Sequence, residues 1–150
     1  MRREDRVRLE GREGQKRRNS VSGVGGGADE MYSQILLEHF ENPRNLGEIP
    51  SPDAAATERN PEQGDTLRIT MRIDGGRIAE ARFKAFGCPV TIAAGSLATE
   101  MLAGMTIQQA LELTDAQVAD ALGGVPEERI RCSVLVQKVI RRALGSLVAE

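Results

Sequence analysis

Apolar and polar residues alternate strictly through Leu67, Ile69, Met71 and Ile73, the period-two pattern of a half-buried strand. Asp74-Gly75-Gly76 then supplies a tight turn, and Ile78, Ala79, Ala81, Phe83 and Ala85 continue as the returning strand of a hairpin. Elsewhere the period is helical. Tyr32, Ile35, Leu36, His39 and Phe40 share one helical face, which Asn42-Pro43 ends. The spacing predicts a helix from Cys88 to about Ala103, with Gly104 as its C-cap. A short helix from Thr106 to Leu113 follows, then one capped by Thr114 or Asp115 that stops at Gly123-Gly124. A last helix is expected from near Cys132 to Val148. The segment from Asn45 to Asp65, with Pro50, Pro52 and Pro61, shows no period and is expected to be loop. A hairpin-based antiparallel sheet followed by helices defines an α+β domain.

Residues 1–30 differ from the rest. Met1 to Ser22 is crowded with charged and polar residues, and Gly23 to Gly27 is glycine-rich. Such a segment buries too little apolar surface to offset its ordering entropy, so the expectation is a disordered tail before a domain spanning 31–150, with translation starting at Met31. The 150 residues carry no tryptophan and a net charge of −2, which argues against nucleic acid as the main partner. No apolar run is long enough to cross a membrane. Two cysteines without a framework spacing fit a reducing, cytoplasmic setting.

Chemistry concentrates where strand gives way to helix. Gly87-Cys88-Pro89 puts a thiol at a helix start, where free N–H groups and the helix dipole favour thiolate. Pro89 suits the first helical position. Cys132 is expected in the same setting, beside the cations Arg129 and Arg131. The alternative is two buried cysteines acting as small hydrophobes. Asp65 opens the first hairpin strand, so the returning strand delivers Cys88 to the same sheet edge. Two thiols and a carboxylate there make a candidate metal or iron–sulfur cradle, against which Asp65 as a simple turn residue is the bland alternative. His39, the only histidine, falls on an apolar face and is expected to be a core or partner-facing residue.

The stretches Tyr32–Gly47 (YSQILLEHFENPRNLG), Gly64-Asp65, Ala81–Cys88 (ARFKAFGC), Ile92–Glu100 (IAAGSLATE) and Leu122–Leu135 (LGGVPEERIRCSVL) together resemble the IscU/NifU-type iron–sulfur cluster assembly scaffolds. That resemblance implies the family's α+β fold and a scaffold role rather than a turnover enzyme. It also implies a transient [2Fe-2S] cluster, or zinc, held by Asp65, Cys88 and Cys132. Its expected partners are a cysteine desulfurase supplying sulfur and acceptor proteins taking the cluster. Two positions depart from the family: Gln63 stands where it has a cysteine, and Arg131 where it has a histidine. Neither replacement supplies the lost ligand: a glutamine offers only a neutral oxygen, and a guanidinium stays protonated. Three readings follow, namely a scaffold completed by an outside ligand, a non-metal-binding interaction module, and a carrier of persulfide sulfur on Cys88 or Cys132. A thiol hydrolase lacks a histidine near either cysteine, and Gly23 to Gly27 lacks the lysine and hydroxyl of a phosphate loop. Gly124–Arg129 (GVPEER) departs from the family's chaperone-recognition phrase, and Lys138, Arg141 and Arg142 form a solvated basic face on the last helix, with docking to an acidic partner as the alternative.

Overall fold

The structure, a computed structural model, describes residues 32–148. The expected tail over 1–30 lies outside the described residues, as do the side chains of Arg131 and Cys132. The elements in chain order are α1 (Gln34–Glu41), β1 (Ala54–Arg59), β2 (Thr66–Asp74), β3 (Arg77–Phe86), α2 (Pro89–Leu102), α3 (Ile107–Leu111), α4 (Asp115–Ala121), α5 (Glu127–Ser133) and α6 (Val136–Val148).

The hairpin forms as its alternation requires. β2 pairs antiparallel with β3 from Thr66↔Phe86 to Asp74↔Arg77, with an irregularity between Arg72 and Ile73. Leu67, Ile69 and Met71 are fully buried on one face. Burying each contributes about 1.5–3 kcal/mol, so a one-residue slip, which would expose all three, is strongly disfavoured. The outer face is partly covered too: Ile49 is buried and its N–H bonds to Thr70 Oγ1 at 3.1 Å.

β1 corrects the expectation of a loop from Asn45 to Asp65. It pairs antiparallel with β2, Ala54↔Met71 through Arg59↔Thr66, giving a three-stranded sheet in the order β1-β2-β3. Ala54, Ala55 and Ala56 carry little β-propensity, and the flanking prolines suggest loop. Burial of Ala54 and Ala56 under α6 overrides that local preference. The free side of β3 is tied down by Phe83, which bonds to the Asn45 carbonyl and the Gly47 N–H, and by Ile78, which does the same with Met105 and Gly104.

Helix α2 lies across β3 and β2, and α1 lies on α2. Gly95 permits that approach, because a Cβ there would stand 2.5 Å from Phe83 Cδ2. Tyr32 precedes the N-cap Ser33 rather than joining α1, and Ile35, expected on the apolar face, is exposed. Ser33 also donates to the Leu122 carbonyl, pinning α1 to the end of α4. Thr106 and Thr114 cap α3 and α4 with complete capping boxes. Asp115 and Gln137, in the first turns of α4 and α6, bond reciprocally: each backbone N–H donates to the other's side chain, at 3.1 and 2.8 Å.

The C-terminal helix also differs from expectation. Cys132 does not begin a helix; it is the second-last residue of α5, which Pro126 starts and Val134 ends with ψ 98°. Val134, Leu135 and Val136 are all buried, so the apolar run is continuous across a break in the backbone. Cys88, and not Cys132, therefore stands at a helix start.

Candidate functional site

The site is built at the open end of the hairpin. Between β1 and β2 the chain turns tightly: Asn60 Oδ1 accepts the N–H groups of Glu62 and Gln63, and Asn60 N–H donates to the Asp65 carbonyl at 2.8 Å. Gly64, at φ +82°, completes the turn and delivers Asp65 to the start of β2. At the end of β3, Gly87 turns the chain into α2 with φ +143°, and a Cβ there would lie 2.8 Å from Asp65 Cγ. Only glycine allows that pass.

Cys88 is the N-cap of α2, with Pro89 following, and makes no capping bond with its own side chain. It is half-buried and free of any disulfide. Its sulfur lies 3.8 Å from Asp65 Oδ2 and 3.2 Å from Ser133 Oγ. Ser133, fully buried at the end of α5, donates to Asp65 Oδ2 at 2.6 Å, and Thr91 Oγ1 lies 3.7 Å from the sulfur. The charges act together on Tyr32. Burial raises its phenol pKa, negative charge on Cys88 and Asp65 adds to that, and Arg129 opposes it. Thus Asp65 and Cys88 meet, as the hairpin argument requires. Cys132 precedes Ser133 in α5, and its side chain lies outside the described residues. Among the described residues no group of three or more His, Cys, Asp and Glu side chains is arranged to hold a metal ion.

The profile of the NifU-like N-terminal domain matches residues 31–149. The chain belongs to that family. The iron–sulfur cluster assembly scaffold protein IscU 1 of Archaeoglobus fulgidus is 44% identical over 114 residues, covering 76% of this chain and 74% of that protein. The scaffold protein IscU of Azotobacter vinelandii is 36% identical over 117 residues, covering 75% and 91%. Among solved structures, a putative iron–sulfur cluster assembly scaffold protein for the SUF system from Fervidobacterium islandicum superposes with a TM-score of 0.63 at 23% identity, over 77% of this chain and 97% of that one. At that identity the likeness shows the fold alone: the α+β arrangement is that of the NifU-like proteins.

In this NifU-like domain the two departing positions fall differently. Gln63 is exposed, and its Oε1 accepts a bond from Arg129 Nη1 at 3.2 Å, so the amide is engaged by a cation. Arg131 has its backbone in α5 and its side chain outside the described residues. His39 is buried away from the sulfur chemistry. Ser96 Oγ accepts the Arg44 N–H at 2.9 Å and lies 2.7 Å from His39 Nδ1, so the hydroxyl joins the ring to the backbone after α1. Nε2 lies 3.8 Å from Glu100 Oε1. On α6, Arg142 is paired with Glu58, while Lys138 and Arg141 are exposed. No helix among the described residues is long and apolar enough to cross a membrane.

Ser133 and Thr91 escaped the reading of the sequence. Thr91 could have been found, since it stands three residues after an N-cap cysteine, the position whose N–H faces the cap. Ser133 carries no comparable signal, because its partner is 68 positions away.

Proposed function

We propose that this protein is a scaffold in iron–sulfur cluster assembly, receiving sulfur from a cysteine desulfurase and holding a transient cluster at Asp65, Cys88 and Cys132 for delivery to acceptor proteins. The observation that carries this is the meeting of a half-exposed helix-start thiol with a buried carboxylate 3.8 Å away, joined by Ser133. The relatives' names support the process: several are called iron–sulfur cluster assembly scaffold proteins. Iron–sulfur clusters take mostly thiolate ligands and generally four of them. This chain offers two thiols and one carboxylate, so the last ligand comes from outside.

Protein purified without oxygen should contain iron and acid-labile sulfide in equal amounts with visible charge-transfer absorption, and Cys88→Ala should lose both. Metal-free, sulfide-free wild type would overturn the scaffold reading. The engagement of Gln63 by Arg129 favours a second reading, a persulfide carrier. There the Cys88 thiolate attacks the outer sulfur of a desulfurase persulfide, the S–S bond breaks and the desulfurase thiolate leaves, without net oxidation. Metal-free protein that gains one sulfur atom on Cys88 from a desulfurase would select that reading.

A further inference from the structure

The two outer edges of the sheet are finished differently. β3 is tied down along its free side by backbone bonds to Asn45, Gly47, Gly104 and Met105. β1 has β2 on one side and, among the described residues, no strand or backbone partner on the other. The register shows which groups are left over. Asn60, one step beyond the Arg59↔Thr66 pair, donates to the Asp65 carbonyl opposite it at 2.8 Å. Antiparallel bonding alternates, so Glu58, Ala56 and Ala54 turn their backbone groups toward β2. Arg59, Thr57 and Ala55 turn theirs outward. Helix α6 covers the face that holds Ala54 and Ala56, while Thr57 and Arg59 are exposed. No proline, lysine or register shift interrupts β1, so the edge lacks the common devices that blunt one.

We propose that β1 docks a second copy of this chain, the two β1 strands pairing antiparallel about a two-fold axis to join two sheets into one. The outward groups lie on alternate residues, so odd-numbered positions must oppose odd-numbered ones. The register centred on Ala56 meets that demand and matches the charges. Ala55 then exchanges N–H···O bonds with Thr57 of the second copy, and Thr57 with its Ala55. Ala56 meets Ala56 of the second copy on the face beneath α6. At both ends Arg59 stands opposite Asp53 of the second copy. Both residues are exposed, and neither has an ion pair among the described residues. Asp53 Oδ2 accepts the Ile73 N–H at 2.7 Å, which leaves Oδ1 for a cation. A register centred on Ala55 or Thr57 gives neither charge an opposite, and one centred on Glu58 sets that carboxylate against itself. Any extended segment could take the backbone bonds; the matched ends single out this chain's own sequence. The pairing also closes, because the β3 edges are already tied and a third copy finds no free strand. The strands run oppositely, so the two Asn60–Asp65 turns stand about 20 Å apart, the length of roughly six strand residues. Each Cys88 keeps its own site.

The test follows the full chain, without added metal, by analytical ultracentrifugation from micromolar to millimolar concentration, with amide hydrogen exchange read by NMR across the same range. Wild type should pass from monomer to dimer, and the Ala55 and Thr57 amides should gain protection in step. Thr57→Pro removes an outward N–H that β2 does not use, and should give a monomer whose circular dichroism is that of wild type. Arg59→Glu should weaken the dimer about tenfold or more, because two attractive cross-strand pairs become repulsive. The wild-type exchange series stands without either variant. A monomer throughout overturns the inference. So does a dimer in which Ala55 and Thr57 exchange freely, since its interface then lies elsewhere. Full protection of both amides in the dilute monomer means that another segment of the same chain covers the edge, and overturns it too. A last arm adds a cysteine desulfurase to dilute protein: protection gained there and not by concentration assigns the edge to that enzyme, against this inference. None of these outcomes touches the scaffold reading, which iron and sulfide content decides.

Discussion

Two residues with no reactive group of their own decide how the site is made. Gly87 lets the chain pass against the Asp65 carboxylate at a backbone angle that L side chains avoid, so Gly87→Ala combines left-handed strain with a collision. The expected outcome is a loss of about 1–3 kcal/mol in urea unfolding and faster alkylation of Cys88, because the displaced carboxylate no longer shields the sulfur. Unchanged alkylation would show that the close pass has no bearing on the thiol. Ser133 is the other. It is a buried hydroxyl that would leave the Asp65 carboxylate short of a donor if absent, and such a carboxylate is costly to bury. Cys88 and Asp65 were legible in the sequence because a hairpin brings its two ends together whatever its length. Ser133 was not, because a serine after a cysteine suits a turn, a helix end or a surface equally well.

Among the elements, legibility followed how strongly local preference agreed with burial. β2 is written in Leu, Ile and Met on one side and Thr and Arg on the other, and it formed where expected. β1 is written in alanine, and its strand conformation comes from β2 on one side and α6 above it. The break between α5 and α6 was hidden by three consecutive buried residues that satisfy a helical pattern without forming one helix. In α2 two effects compete at Gly95. Replacing glycine by alanine inside a helix gains up to about 1 kcal/mol of propensity. Here the new methyl would meet Phe83 and Leu67, both fully packed, and overpacking costs about 1–3 kcal/mol. Gly95→Ala should therefore lower the urea midpoint, and a raised midpoint would mean that α2 can shift off the sheet freely.

For the molecule as a whole, one contribution to acid sensitivity comes from a group remote from the sulfur. Burial lowers the His39 pKa below its usual 6.5; the Arg44 cation adds to this, while Glu100 and Glu38 oppose it. The unfolded chain therefore takes up this proton at a higher pH than the folded one does. Stability is full above about pH 6.5 and falls as pH drops toward the lower folded value. Asp115 contributes with the opposite sign. Burial raises its pKa, so its contribution is full below 3.8 and is lost as pH rises through the folded value. Comparing urea midpoints at about pH 7.5 and 5.5, the decline in wild type should be reduced in His39→Gln. An identical decline in both would remove His39 as its source.

The mutual bonds of Asp115 and Gln137 join two helices at their beginnings rather than along their sides. Neither helix can fray at its first turn without stranding an amide of the other. Opening at the start of α4 is therefore coupled to opening at the start of α6, across segments some twenty positions apart.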